Sequence, residues 1–199
     1  MYQILNFMGI NMRKRDLVST YGNWMEELQQ KGFDPYFLSI TFRPMPGSAR
    51  TVQSEMRHAV ERLYAQTLTR ILRCPHSQAS RDILPIWVGC PDYPVGKSFR
   101  SSLQDIMVND GLHWHAIALI FTENRLKCPF HLHVLEQQHV YQQPPIHRLH
   151  VEPVRDRLHY STEYGMKSVR RARVDPDEIL ILPQDGKVLK AREIFPYKD

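Results

Sequence analysis

With 199 residues, 42% of them apolar, the chain has room for one domain, alone or with an extension, around a sizeable core. Its formal charge of +5, which ten histidines can raise at mildly acidic pH, suits a polyanionic partner and equally suits an ordinary basic enzyme surface. Three cysteines (Cys74, Cys90, Cys128) without a CxxC pair argue against a disulfide framework and for a reducing compartment.

The start, "MYQILNFMGINMRKRD", lacks the long apolar region and cleavage site of a signal peptide, and no apolar run approaches the length of a membrane span. The expected location is the cytoplasm, with no membrane partner. Residues 13–31 predict an amphipathic helix, with Leu17, Val18, Tyr21, Trp24, Met25 and Leu28 on one stripe and Gly32 as its stop. "YFLSITF" (36–42) predicts a buried strand, ended by the prolines of "RPMPGS". Residues 51–73 place Val52, Met56, Val60, Leu63, Thr67 and Ile71 at helical spacing. "DILPIWVGC" (82–90) predicts a second strand, and "DYPVGKSFRSSLQD" (92–105) a loop. A strand "HWHAIALIF" (113–121), a strand at 146–154, a helix at 155–173 and a last strand at 178–183 before a "QDG" turn complete the pattern. There is no internal repeat and no low-complexity tract. The fold class is α+β: a central antiparallel sheet flanked by helices, expected mainly on one side. Residues 1–35 are expected to form a helical extension packed on a core of residues 36–199, one compact domain overall.

Two places in this pattern carry chemistry. His113 and His115, at i and i+2, point from the same face of a strand whose two faces are otherwise apolar, which marks it as central. Two imidazoles on one face can hold a divalent cation if a third ligand joins them; they can also be hydrogen-bonded side chains at a strand end. A rival pair, His131 and His133, lies near Cys128 and His139, but the spacing matches no zinc-finger pattern. In "HYSTEYGMKSVRR", Tyr160, Tyr164 and Lys167 share one helical face. Tyrosines so spaced usually pack in a core, yet a lysine on the same stripe would be awkward there. The following run of Lys167, Arg170, Arg171 and Arg173 suits either a solvated helix end or a phosphate backbone.

A His-x-His strand followed by a Tyr-x-x-x-Tyr-x-x-Lys helix resembles the HUH endonucleases, the superfamily of rolling-circle replication initiators, plasmid relaxases and single-strand transposases. "FLSITF" (37–42) is similar to the family's first motif, "HWHAIALI" (113–120) to its histidine motif and "YSTEYGMK" (160–167) to the initiators' tyrosine motif, in the family's order across residues 37–167. The resemblance implies a ferredoxin- or RRM-like palm. It implies Mg²⁺ or Mn²⁺ held by His113 and His115, and Tyr164 as the nucleophile that forms a 5′-phosphotyrosine link. It implies Lys167 beside the phosphate, and single-stranded DNA at an origin or hairpin site bound by Lys167, Arg170, Arg171 and Arg173. A helicase from the host or the element is a further expected partner. Tyr160 stands either as a second nucleophile or as a packing residue. The family's third metal ligand has no fixed place here; Asp92, Asp105 and Asp110 are the candidates. Neither a helicase-like segment nor a GxxxxGK phosphate loop occurs. Initiation of rolling-circle replication of a phage, plasmid or mobile element is the first expectation. A relaxase, a transposase, a non-catalytic origin-binding protein and a histidine-rich metal-binding protein are the alternatives.

Overall fold

The computed structural model describes residues 13–92 and 112–184. Helix α1 (Lys14–Gln30) leads into strand β1 (Phe33–Phe42) and then the long helix α2 (Ala49–Ile71). Strands β2 (Ile86–Asp92) and β3 (His113–Phe121) follow, then two short helices, α3 (Phe130–Glu136) and α4 (Gln138–Tyr141), and β4 (Ile146–Pro153). Helices α5 (Leu158–Gly165) and α6 (Lys167–Arg170) precede a short β5 (Leu180–Leu182). The five strands form one sheet in the order β4-β1-β3-β2-β5, every pair antiparallel. Its first four strands, with α2 between β1 and β2 and α3 and α4 between β3 and β4, make a split βαβ arrangement, the ferredoxin-like order. Among the described residues no helix is long and apolar enough to cross a membrane.

Local chemistry accounts for the boundaries. The six apolar residues of the α1 stripe are all buried, and Gly32 turns the chain out of the helix at φ +94°, a conformation open to glycine. Helix α2 starts at Ser48, whose hydroxyl accepts from Thr51 N–H at 3.2 Å. The second strand begins later than its apolar pattern suggests: Gln78–Ile83 is a 3₁₀ turn, and pairing starts only after Pro85. It also runs two residues further, to Asp92. Pro91 is tolerated because β5 pairs only with Trp87, Val88 and Gly89, so the proline lies beyond that ladder. The helix expected over 155–173 is two pieces that break at Met166, directly after Gly165.

Helices cover both faces of the sheet, not mainly one. Even-numbered residues of β1 and β3, such as Leu38, Ile40, Trp114 and Ala118, pack with α2, α3 and α4 in one core. On the opposite face Phe33, Ile86, Val88, Ile117 and Leu119 pack with α1, α5 and α6 in a second core. The one-sided expectation failed because α1 lies before the first strand, where chain order does not say which face it will cover. The rival histidine pair lies on α3, where residues two apart point about 200° away from each other. His133 sits instead against the Tyr141 hydroxyl, 2.9 Å away.

Two close approaches hold this packing. A Cβ on Gly89 would lie 2.3 Å from the carbonyl oxygen of His115, so β2 and β3 can meet there only with glycine. A Cβ on Gly22 would lie 2.5 Å from the His159 ring, where α1 crosses α5. Gly89→Ala should cost about 3 kcal/mol, since a backbone atom must move. Gly22→Ala should cost about 1 kcal/mol, because the His159 side chain can rotate and alanine favours the helix. Urea unfolding of the two variants checks the order; equal costs would contradict it.

Candidate active site

The odd-numbered face of β3 builds the site. His113 and His115 point from one face, as the two-residue spacing predicts, with their rings stacked at 6.4 Å between centroids. The register places Asp92 of β2 opposite His113, and Cys90 opposite His115. On the other side β1 places Thr41 opposite His113 and Ser39 opposite His115. Four side chains from β1 and β2 therefore flank the histidines. Phe37 lies two residues further along β1, its ring 5.4 Å from that of His115.

Helices α5 and α6 pack over the middle of this face, beside the histidines, and leave its end open. Gly165 makes the approach possible: a Cβ there would already be 3.3 Å from the Phe37 ring and 3.8 Å from His115 Cβ. The contact brings the Tyr164 ring to 6.1 Å from His115 and 5.9 Å from Phe37, yet leaves the tyrosine 47% exposed. Lys167, just past the helix break, holds its Nζ 4.6 Å from the centre of the Tyr164 ring. The same Nζ lies 2.7 Å from Asp92 Oδ2.

Asp92 joins these parts. Its carboxylate is 14% exposed and faces Lys167 Nζ, His115 Nε2 at 3.5 Å, and the Ser168 hydroxyl, which donates to Oδ1. Burial alone would raise its pKa; the hydrogen bonds from His115, Lys167 and Ser168, with the charge on Lys167, outweigh burial and hold it well below the usual carboxylate range. On the far side of the imidazole, Ser39 Oγ lies 3.3 Å from His115 Nδ1, a contact that orients the ring. Cys90 beneath is not a nucleophile. Burial, with Asp92 and Glu178 adding to it, pushes its thiol up to about 12, and it donates to the Gly165 carbonyl.

The donor set bears on a divalent cation. Two imidazoles and a carboxylate on neighbouring positions of β2 and β3 suit Mn²⁺, and less closely the oxygen-rich shell that Mg²⁺ prefers. Thr41 Oγ1, across from His113, is buried with no hydrogen-bond partner among the described residues. A buried hydroxyl of this kind calls for a polar species beside it, as a hydrated ion or a phosphate oxygen would be. Among the described residues no three His, Cys, Asp or Glu side chains are gathered around one point, and the Asp92 oxygen nearest His115 also pairs with Lys167. Of the other two carboxylates considered as third ligand, Asp105 and Asp110 lie outside the described residues.

The remaining sequence candidates divide. Tyr160 is 61% exposed, so it is not a core packing residue. With Phe37, Tyr164, Ser161 and Arg155 it lines a groove of about 300 Å³ beside the site. Arg170 pairs with Glu163 at 3.5 Å, while Arg171 and Arg173 are exposed beyond α6. Sequence reasoning missed Phe37, Ser39, Thr41 and Ser168. The first three share one parity on β1, a signal that becomes useful only once β1 is known to pair with β3. No sequence signal marks Ser168.

The chain matches no protein-family model, no curated protein and no solved structure.

Asp92→Asn tests the centre of this cluster. At pH 7 the variant should lose about 1–3 kcal/mol of stability, between the values for exposed and buried ion pairs. The native carboxyl is depressed, so its contribution is complete above the unfolded value of about 4 and fades as pH falls below that toward the native one. The gap between wild type and variant, measured by urea unfolding, should therefore be constant from pH 7 to 5 and shrink below pH 4. A gap that grows on acidification would contradict the assignment.

Proposed function

We propose that the chain is a metal-dependent single-strand DNA nuclease and strand transferase of the HUH type, with Tyr164 as nucleophile. The observation that carries this reading is the convergence of His115, Asp92, Tyr164 and Lys167, from four separate elements, around a half-exposed phenol. A phenol at 47% exposure can meet a phosphodiester, whereas the acidic and imidazole groups behind it are largely shielded. Nucleophile, cation and metal-type donors in one contiguous cluster are the components that phosphoryl transfer to a side chain requires.

The chemistry follows from those groups. The single strand lies across the open end of the sheet, with a phosphate between Tyr164 and the histidines. His113, His115 and Asp92 are the residues that would hold a Mg²⁺ or Mn²⁺ ion, whose contribution when bound is Lewis-acid polarisation of a non-bridging phosphate oxygen. The Tyr164 oxygen attacks phosphorus. Its bond to phosphorus forms, the bond from phosphorus to the 3′-oxygen breaks, the phenolic proton is released, and the departing 3′-oxygen takes up a proton. The products are a 5′-phosphotyrosine link and a free 3′-hydroxyl, and attack by a second hydroxyl reverses the step and joins strands. Lys167, over the Tyr164 ring, offsets the negative charge that gathers on phenolate and phosphate. Ser39 keeps the His115 ring in place. The exposed arginines 171 and 173 suit backbone phosphates beyond the scissile one, and Tyr160 with Phe37 offers aromatic faces to unpaired bases.

Within this class, initiation of rolling-circle replication is favoured by the lysine three residues after Tyr164. A two-tyrosine variant, in which a strand passes between Tyr160 and Tyr164, is favoured by the exposure of Tyr160 one helical turn away.

The test is an adduct. Incubated with a mixed pool of single-stranded DNA and Mn²⁺, the protein should form a DNA adduct that survives denaturation and that EDTA prevents. Tyr164→Phe should abolish it. Tyr160→Phe should leave cleavage intact and, in the two-tyrosine variant alone, block transfer to a second strand. Lys167→Ala should slow adduct formation about 10²-fold, the usual effect of removing one transition-state charge partner. An adduct that persists in Tyr164→Phe would overturn the assignment. So would failure of Mn²⁺ to bind in calorimetry with wild type and with His115→Ala alike.

A further inference from the structure

A second cavity, of about 330 Å³, lies away from His113 and His115. It forms where the end of α2, the 122–129 segment after β3 and helix α3 meet, at the opposite end of β3 and on the other face of the sheet. Three cations line it, Arg70, Arg125 and Lys127, against one carboxylate, Glu136. None of the three cations is ion-paired among the described residues. Arg125 is fixed by neutral acceptors: its Nη1 donates to the carbonyls of Leu72 at 3.3 Å and Thr69 at 3.5 Å, and its backbone N–H donates to Ile71 O. These bonds hold the guanidinium at the wall without neutralising it, and leave its other N–H groups to a ligand.

His133 lines the same cavity, with Nε2 2.9 Å from the Tyr141 hydroxyl. Burial and the nearby Arg70 push its pKa down, and Glu136 opposes them more weakly. The surrounding positive charge thus disfavours the imidazolium form of this ring. The three cations line one open, concave space and are themselves exposed; they repel one another, and an anion seated among them offsets that repulsion. Two guanidinium groups and an ammonium match the several oxygens of a phosphate group, and they outnumber the one carboxylate, Glu136, that opposes any anion here. The volume suffices for phosphate or pyrophosphate with part of the molecule that carries it.

We infer that Arg70, Arg125 and Lys127 form a second site, which binds the phosphate or pyrophosphate group of a nucleotide or the phosphodiester groups of a nucleic-acid backbone. It stands independently of the role given to Tyr164, because its occupancy is read without DNA cleavage.

Pyrophosphate is the probe. Calorimetry should show it binding to the wild-type chain, and binding should weaken about 10²-fold in the Arg70→Gln, Lys127→Gln double variant, which loses two charge-assisted contacts. Arg125 is left in place because it fastens the segment after β3 to α2. Both substituted side chains are exposed, and an unchanged thermal midpoint of the double variant confirms that its fold is kept. The His133 ring resonances give a second readout: a bound dianion favours the imidazolium, so their titration midpoint should move to higher pH. Equal pyrophosphate affinity in the double variant, or a His133 midpoint that does not move at saturation, would overturn the site. Competition then assigns the source. Displacement of pyrophosphate by a short single-stranded oligonucleotide marks a backbone phosphate, displacement by a nucleoside triphosphate alone marks a free nucleotide, and displacement by neither overturns the inference.

Discussion

The carboxylate of Asp92 is the constraint on which the site depends. A charge this shielded is tolerated only with its oxygens satisfied, and three donors from two elements supply that: His115 on β3, Lys167 on α6 and Ser168 beside it. Each of those contacts places something else. The one to Lys167 holds the ammonium over the Tyr164 ring. The one to His115 fixes, together with Ser39 on the opposite edge of the imidazole, the ring that faces Tyr164. The one to Ser168 draws α6 down onto β2. A single carboxylate at the end of one strand thus sets the position of a cation, an imidazole and a helix.

The sheet divides the labour between its faces. One face is closed by the long helix α2 and the two short helices, and its side chains from Tyr36 through Ile120 form an apolar core. The other is covered in two parts. Helix α1 takes the end that carries Phe33, Ile86 and Leu119, and α5 with α6 takes the middle. That leaves Phe37, Ser39 and Thr41 only partly buried, in line with His113. The open end is where the fold can receive a ligand, and it coincides with the concentration of polar side chains. The helix break at Met166 belongs to the same arrangement: a continuous helix would carry Lys167 along the Tyr160–Tyr164 stripe, whereas the break turns it toward Asp92.

Basic side chains serve different ends in different places. Lys167 is committed to Asp92 and Arg170 to Glu163. Arg70, Arg125 and Lys127 stand in a concave site without an ion-pair partner among the described residues. A net charge of +5 does not distinguish these cases. Pairing and concavity do: Arg170, exposed and paired with Glu163, has little left to offer an anion, whereas Lys167 is shared between Asp92 and the Tyr164 ring, and the three cations of the concave site face no ion-pair partner among the described residues.

Much of the fold was legible in the sequence, and so was half of the site. The α1 stripe, the α2 spacing and the "HWHAIALIF" strand follow from the 3.6- and 2-residue periods alone, since those periods state which side chains share a face. The same rule correctly put His113 and His115 together, and placed Tyr164 one helical turn from Tyr160. Helices α3 and α4 were not legible, because they are only seven and four residues long and the first apolar residues, Phe130, Leu132 and Val134, alternate as a strand would rather than at helical spacing. Nor was the face that α1 covers. What only the tertiary structure decided is which strand stands beside which: that β2 reaches Asp92 next to His113, that β1 brings Phe37, Ser39 and Thr41 alongside, and that Gly165 lets Tyr164 approach them. Periodicity fixes direction within an element; strand order and close approach are relations between elements, set by packing over distances in sequence that no local pattern spans.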